Sequence, residues 1–251
     1  MANQFQDYEN HNKLTISRSN NIKAAQSSDI IILGVDPSDV ETTLNQDGLS
    51  QALKRKLFIS VAAGWTREKL ENLLSSNSGL DKTWVIRTLP NINAQVSESL
   101  TAIEDPDPDT PAHYLSTTKL IFGQIGRTIC IDPRLMNATT AVGGSTPAMF
   151  AVICDALIDA AVAIGIPRVS AQTMIYQSMK GTAEMLQSGV HPGILKDQGT
   201  SPEGCTIAGL MVIEEAGVRG SLGRALREAV TVARLMSEGD KLHVNDTRWS
   251  R

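Results

Sequence analysis

The residues of this 251-residue chain best placed to do chemistry lie in the run His191-Pro192-Gly193-Ile194-Leu195-Lys196-Asp197-Gln198-Gly199-Thr200-Ser201-Pro202-Glu203-Gly204-Cys205-Thr206. The run reads as a long polar loop that feeds an apolar helix starting at Thr206 and ending near Gly217. At such a start the backbone N–H groups of Gly204, Cys205 and Thr206 have no intrahelical partner, and the aligned peptide dipoles add positive potential. That combination holds a carboxylate or a phosphate, and the Thr206 hydroxyl adds one more donor. Ser201 or Thr206 would serve equally well as a plain helix cap, so the local pattern leaves both roles open.

A second set of residues sits where β-rich runs end. Gly34-Val35-Asp36-Pro37, Val61-Ala62-Ala63-Gly64 and Arg87-Thr88-Leu89-Pro90-Asn91 each follow an aliphatic run and are rich in small residues that let a flat ligand approach the backbone. Gly and Pro also punctuate ordinary turns. Three such loops in succession favour the ligand reading.

The elements that must position these residues change character along the chain. Asp29–Val35, Leu57–Val61 and Trp84–Arg87 are continuous rather than alternating apolar runs, as strands buried on both faces of a parallel sheet require. Amphipathic stretches separate them: one after Pro37 carries Val40 and Leu44, and one capped by Thr66 carries Leu70, Leu73 and Leu74. Strands alternating with helices give βαβ units and an open sheet, which binds ligands beyond the carboxyl ends of its strands. From Asp132 onward the periodicity is helical. One helix starts at Ser145-Thr146-Pro147 with a hydroxyl cap and ends at Gly165; Met174, Met179 and Met185 stripe a second as core packing; a last one carries Leu222 through Met236. The fold class is therefore α/β followed by all-α, divided into residues 1–131 and 132–251. The helices carry more apolar surface than one small bundle needs, which points to a homodimer or higher homo-oligomer.

Composition removes several classes of function. With 41% apolar and 20% charged residues the chain is neither disordered nor a membrane protein, and the apolar stretch from Ala148 to Ile166, interrupted by Asp155 and Asp159, reads as a buried core helix. A formal charge of −4 and 4% aromatic residues oppose nucleic-acid binding. Three cysteines without ligand spacing and four scattered histidines indicate no metal site and reduced thiols, hence a cytoplasmic protein. The first residues lack the basic flank and apolar core of a signal peptide.

Taken together these motifs resemble the pyrroline-5-carboxylate reductase family. Leu195-Lys196-Asp197, Ser201-Pro202, Gly204, Thr206 and Gly209-Leu210 match its signature, and Gly143-Gly144-Ser145-Thr146-Pro147-Ala148 is similar to its Ser-Gly-Ser-Gly-Pro-Ala helix start. Ile166-Pro167-Arg168, His191-Pro192-Gly193, Ala62-Ala63-Gly64 and the loop ending at Asn91 match too, and Gly34-Val35-Asp36-Pro37 resembles Ala-Val-Lys-Pro. The likeness runs from Leu14 to the last long helix. It implies an incomplete Rossmann-type sheet followed by a helical dimerisation domain, and an NADPH- or NADH-dependent reduction of the cyclic imine 1-pyrroline-5-carboxylate, or a substituted analogue from secondary metabolism, to proline. It also implies that Asn21, Val35, Asp36, Pro37, Ala62, Ala63, Asn91 and Gln198 line the cofactor, that Ser201, Gly204, Cys205 and Thr206 hold the substrate, and that Thr206 serves the imine nitrogen.

The chain departs from the family pattern in several places. No Gly-x-Gly-x-x-Gly turn occurs in it; the match begins at a strand-like Leu14-Thr15-Ile16, and residues 1–13 are too polar to supply the first strand. Asp36 stands where the family has Lys, Glu203 and Thr146 where it has Gly, Gly199 where it has an aliphatic residue, and Asn93 where it has Pro. Two alternatives follow beside the reductase: a catalytically impaired homologue acting only through helical-domain oligomerisation, and a truncated isoform.

Overall fold

The computed structural model describes residues 14–74 and 81–238; residues 1–13, read above as too polar for a strand, lie outside that range. The three aliphatic runs form parallel strands: β1 (Ile30–Leu33), β2 (Leu57–Ser60) and β3 (Trp84–Leu89). Ile30 faces Leu57 and Leu33 faces Ser60 across one pair, and Leu57 faces Trp84 and Ser60 faces Arg87 across the next. β4 (Ser99–Glu104) runs antiparallel to β3, with Thr88 opposite Ile103. β5 (Gly126–Ile131) completes a five-stranded sheet in the order β1-β2-β3-β4-β5. The Rossmann-type sheet expected from the sequence is present.

Strand alternation divides the core. Phe58 and Val85 point to one side, where Leu33, Val40, Leu44, Leu53 and Leu70 meet them. Leu57, Ile59 and Ile86 point to the other, against Ile103 and Phe122. All of β2 is buried, as its unbroken apolar run predicts. β1 departs from that expectation: Ile30 and Ile32, on the Leu57 side, are 38% and 48% exposed, because among the described residues nothing covers that face of β1. Leu14-Thr15-Ile16 is also corrected. It is irregular, not a strand, and Ile16 is exposed.

Short helices serve the sheet: α1 (Asn21–Gln26), α2 (Val40–Leu44), α3 (Leu49–Leu53), α4 (Arg67–Leu73) and α5 (Ala112–Gly123). α4 starts where the sequence indicated: Thr66 Oγ1 accepts the Lys69 N–H at 3.2 Å. The buried positions Val40, Leu44 and Leu70 are those of the predicted amphipathic stripes.

A charged layer lies beside α4. Glu104 Oε2 accepts from Arg87 Nη1 at 2.7 Å, with both side chains buried, and Arg67 links Glu104 to Asp107 at 3.7 and 3.3 Å. Glu71 belongs to the same layer, and burial pushes its carboxyl above the ordinary range, with Asp107 and Glu104 adding to the rise and Lys82 and Arg67 opposing it. Between the unfolded and the raised folded pKa the folded chain binds more protons at Glu71, so its contribution to stability falls as pH rises through that window. Glu71→Gln is therefore expected to raise the melting temperature at neutral pH, with the gain vanishing once the pH drops below the unfolded carboxyl's pKa. A melting series across pH that shows no such convergence contradicts this.

The chain forms two compact units, one built on residues up to 89 and on 101–133, the other on 90–100 and the residues from 134 onward. In the second, α6 (Met136–Gly144), α7 (Thr146–Ala163), α8 (Arg168–Gln187), α9 (Pro192–Gln198), α10 (Cys205–Glu215) and α11 (Val218–Glu238) follow one another. α11 lays its apolar stripe on α6, burying Ala233, and Asn137 Nδ2 donates to Ser237 Oγ at 2.7 Å. α7 ends in a left-handed Gly165 whose neighbours close the turn, Ile166 N–H donating to Ala161 O.

Three local expectations fail here. Ser145 supplies no cap to α7; instead Thr146 Oγ1 donates back to Val142 O at 2.8 Å. α7 is not a buried core helix, since only Cys154 and Ile158 are buried while Phe150, Val152 and Leu157 face outward. Met174, Met179 and Met185 are likewise exposed. The periodicity identified apolar stripes correctly, but a single chain offers too few partners to cover them. The stretch Pro133–Ala163 is long and apolar enough to cross a membrane by length and composition alone. It contains two helices meeting at Ser145, with Met136, Ala141, Cys154 and Ile158 buried in the fold.

Candidate functional site

The first group of site residues gathers at the carboxyl ends of β1 and β2. The β2 chain continues beside β1 beyond the strand, with Val61 N–H donating to Leu33 O at 3.1 Å. The loop after β1 is held in a short 3₁₀ turn by Asp39 N–H donating to Asp36 O. The loop after β2 is fixed by Ala62 N–H on Ser60 Oγ at 3.3 Å. Trp65 then ties the two loops together, its Nε1–H donating to Pro37 O at 2.8 Å. Val35, Asp36 and Pro37 thus lie beside Ala62 and Ala63, as the parallel-sheet reading requires. Asn21 joins them: it lines an open groove with Gly34 and Val35, and its Nδ2 donates to Gln46 Oε1 at 3.4 Å. No local pattern in the sequence marks Trp65 for this role in aligning the loops.

Asn91 belongs to the second unit. Its Oδ1 accepts from Asn93 N–H at 3.1 Å, its Nδ2 donates to Gly143 O at 2.8 Å, and its own N–H donates to Ser99 Oγ at 3.1 Å. The side chain therefore fastens the 90–100 segment to the end of α6, beside the Gly143-Gly144-Ser145 motif.

The second group of site residues surrounds the start of α10. The long polar loop expected from His191 is shorter than predicted. His191 Nδ1 accepts Gly193 N–H at 3.1 Å and starts α9, which carries Gln198, exposed, as its last residue. Thr200 Oγ1 closes that helix on Asp197 O at 2.8 Å. What remains is the turn 199–204. Gly204 N–H, expected to be unpaired, donates to Ser201 O at 3.0 Å and closes the turn.

That turn presents Ser201, Gly204, Cys205 and Thr206 together. Gly204 enters α10 in an extended conformation, and no side chain caps the helix. Capping by Ser201 or Thr206, left open by the sequence, is thus not used. Neither hydroxyl has a hydrogen-bond partner among the described residues, and Ser201, Cys205 and Thr206 are exposed. A Cβ on Gly204 would stand 2.5 Å from Ser201 Oγ and 3.0 Å from Ser201 O, so a larger residue here would turn the serine hydroxyl away and open the turn slightly. Glu203 adopts φ 60°, a left-handed conformation that favours glycine. The result is a helix start with the N–H groups of its first turn free, two uncommitted hydroxyls and positive dipole potential, which can hold an acid group and donate to a neighbouring atom. Among the described residues no three of His, Cys, Asp and Glu cluster as a metal site would require.

Comparison with known proteins gives a consistent picture. Residues 133–236 match the family described as pyrroline-5-carboxylate reductase dimerisation, and residues 2–64 match the one described as NADP oxidoreductase, coenzyme F420-dependent. A pyrroline-5-carboxylate reductase of Lophium arboricola is 41% identical over 239 residues, covering 93% of this chain and 74% of that protein. The Neurospora crassa pyrroline-5-carboxylate reductase is 38% identical, with the same coverage of 93% and 74%. Among solved structures, Plasmodium falciparum pyrroline carboxylate reductase with NADP bound superposes with a TM-score of 0.80 at 27% identity, covering 88% of this chain and 81% of that one. The Streptococcus pyogenes 1-pyrroline-5-carboxylate reductase gives 0.77 at 27% identity, covering 92% and 85%.

Proposed function

Because this chain belongs to the pyrroline-5-carboxylate reductase family, we propose that it reduces 1-pyrroline-5-carboxylate to proline with NADPH, binding the substrate's acid group at the start of α10. The single observation that carries this siting is the uncapped helix end between Ser201 and Thr206, with free N–H groups and two free hydroxyls.

The residues at the sheet fit a nicotinamide dinucleotide. Gly34, Ala62 and Ala63 are small, and an added Cβ at Gly34 would come no closer than 4.0 Å to Val61, so the backbone at these strand ends is open to a flat ligand. The residues that would hold it are Asn21, Val35, Asp36, Pro37, Ala62, Ala63, Asn91 and Gln198. When bound, it supplies the hydride. The protein's own share is orientation and proton management. The first-turn N–H groups of α10 and the Ser201 hydroxyl fix the carboxylate, which sets the ring in one attitude. The Thr206 hydroxyl donates to the imine nitrogen, which makes the adjacent carbon more electrophilic, and it relays a proton to that nitrogen while taking one back from the solvent to which it is exposed.

Residues 133–236 match a dimerisation family. The outward Phe150, Val152, Leu157 and Met211 are the surfaces that a second copy would cover, which supports a homodimer or a higher homo-oligomer. Three free cysteines suit a reducing, cytoplasmic setting.

The siting is tested by removing the acid group from the substrate. Two charge-assisted hydrogen bonds of ~1.5 kcal/mol each correspond to a loss of about a hundredfold in kcat/KM for 1-pyrroline relative to 1-pyrroline-5-carboxylate. Equal turnover of the two imines would overturn carboxylate docking at α10.

A further inference from the structure

We infer that Trp65 is a positioning residue for the cofactor: its indole N–H holds the loop after β1 against the loop after β2 and so presets the spacing of the groups that receive the dinucleotide. This role rests on the reductase reading and adds a residue to its cofactor site.

Both loops belong to the same compact unit. Their roots are joined by the sheet, where Val61 N–H donates to Leu33 O at 3.1 Å. Beyond the sheet, Trp65 Nε1–H on Pro37 O at 2.8 Å is the only hydrogen bond between residues 34–39 and 61–66 among the described residues. Each end of that bond is fixed from its own side. Gly64, at φ 77°, makes a left-handed turn before α4, and Thr66 caps α4 by accepting Lys69 N–H at 3.2 Å. Trp65 is thus set between a turn and a cap, and its ring packs against the core cluster that includes Val40, Leu44 and Leu70. On the other side, Pro37 begins the 3₁₀ turn that Asp39 N–H closes on Asp36 O at 2.9 Å, and its own ring restricts φ. Thr88 Oγ1 donates to Ser60 O at 3.2 Å and Ser60 Oγ accepts Ala62 N–H at 3.3 Å, which ties the end of β3 to the loop after β2 as well.

The consequence of this bond falls on affinity and not on the chemical step. Two loops that grip one ligand lose relative freedom when it binds, and that ordering is subtracted from affinity. A bond that aligns them beforehand removes part of the cost. Packing on the core needs only the ring of Trp65; the donor is spent on a carbonyl of the neighbouring loop. Trp65 makes no hydrogen bond to Ser201 or Thr206 among the described residues, so substrate docking and proton relay at α10 do not depend on it.

The test compares the full chain with Trp65→Phe, which keeps a packed ring and removes the donor, and with a protein carrying benzothienylalanine in place of Trp65, which keeps the shape of the indole and replaces only its N–H. Trp84→Phe, which removes an indole at the opposite, amino end of β3, is the control. NADPH affinity is measured by calorimetry, and kcat and the KM values for NADPH and 1-pyrroline-5-carboxylate by steady-state kinetics. Both changes at Trp65 are expected to weaken NADPH binding about fivefold, the factor given by about 1 kcal/mol, the net worth of one hydrogen bond. The KM for NADPH should rise by the same factor, while kcat at saturating NADPH and the KM for 1-pyrroline-5-carboxylate stay at the parent's values. Trp84→Phe should leave all of these unchanged, whatever it does to the melting temperature. Parent-like NADPH affinity in either protein altered at Trp65 overturns the inference, and so does an equal loss in Trp84→Phe, since stability alone would then account for it. If the expected losses in NADPH binding appear while no imine turns over, the inference stands and the reductase reading fails. If imine is reduced and the NADPH constants do not depend on Trp65, the reading stands and the inference fails. Absence of NADPH binding by the parent overturns both.

Discussion

Thr206→Ala is expected to lower kcat/KM for 1-pyrroline-5-carboxylate by between about a hundredfold and ten-thousandfold, the range over which a positioned proton donor acts. The loss should fall on kcat, because the free N–H groups at the start of α10 still hold the carboxylate. The fold has no stake in the removed atom: Thr206 is exposed, and its hydroxyl neither caps α10 nor bonds elsewhere among the described residues. An unchanged melting temperature is therefore expected, and Thr206→Ser should restore much of the rate. Steady-state kinetics on the three proteins checks this. A Thr206→Ala enzyme as fast as its parent would remove Thr206 from the imine nitrogen.

The second large effect concerns stability. Glu104→Ala is expected to cost about 3–5 kcal/mol, because it strands a buried guanidinium. Arg87 and Glu104 are 4% and 3% exposed as residues, and Arg87 Nη2 has no hydrogen-bond partner among the described residues. Burial pushes the Arg87 guanidinium below its ordinary range, and contact with Glu104 draws it back. Removing both charges together, as Arg87→Met with Glu104→Leu, should come far closer to the parent, since neither an unpaired charge nor its desolvation cost remains. Denaturant unfolding of the single and double variants measures the difference. A Glu104→Ala protein within about 1 kcal/mol of the parent would mean that water reaches Arg87, against the burial of both side chains. The pair staples β3 to β4 beside the Thr88–Ile103 register.

What could be read from the residues follows physical lines. β2 and β3 were legible because strands buried on both faces are unbroken aliphatic runs. β4 was not, since Ser99, Thr101 and Glu104 are buried polar residues that hide its character. β5 alternates weakly and lacks any buried residue. α9 was hidden by His191-Pro192-Gly193, which reads as a turn until the imidazole is seen to cap a helix. The turn before α10 was legible because Ser-Pro and Gly precede an apolar helix. The bonding of Gly204 within it was not, because a turn closed by its own backbone leaves no mark in residue types. Contacts between distant positions, Trp65 with Pro37 and Asn91 with Gly143, have no local signal at all. Outward apolar stripes on α7, α8 and α10 were visible as periodicity, but periodicity does not say which molecule covers them.

Hydride must reach the imine carbon of an amino-acid-like ring on this chain. That is measured directly by supplying NADPH deuterated at its transferable position together with 1-pyrroline-5-carboxylate, and examining the product by mass spectrometry. Proline heavier by one deuterium, with the label on the former imine carbon, is the predicted result. Absence of proline, or proline without the label, would contradict it.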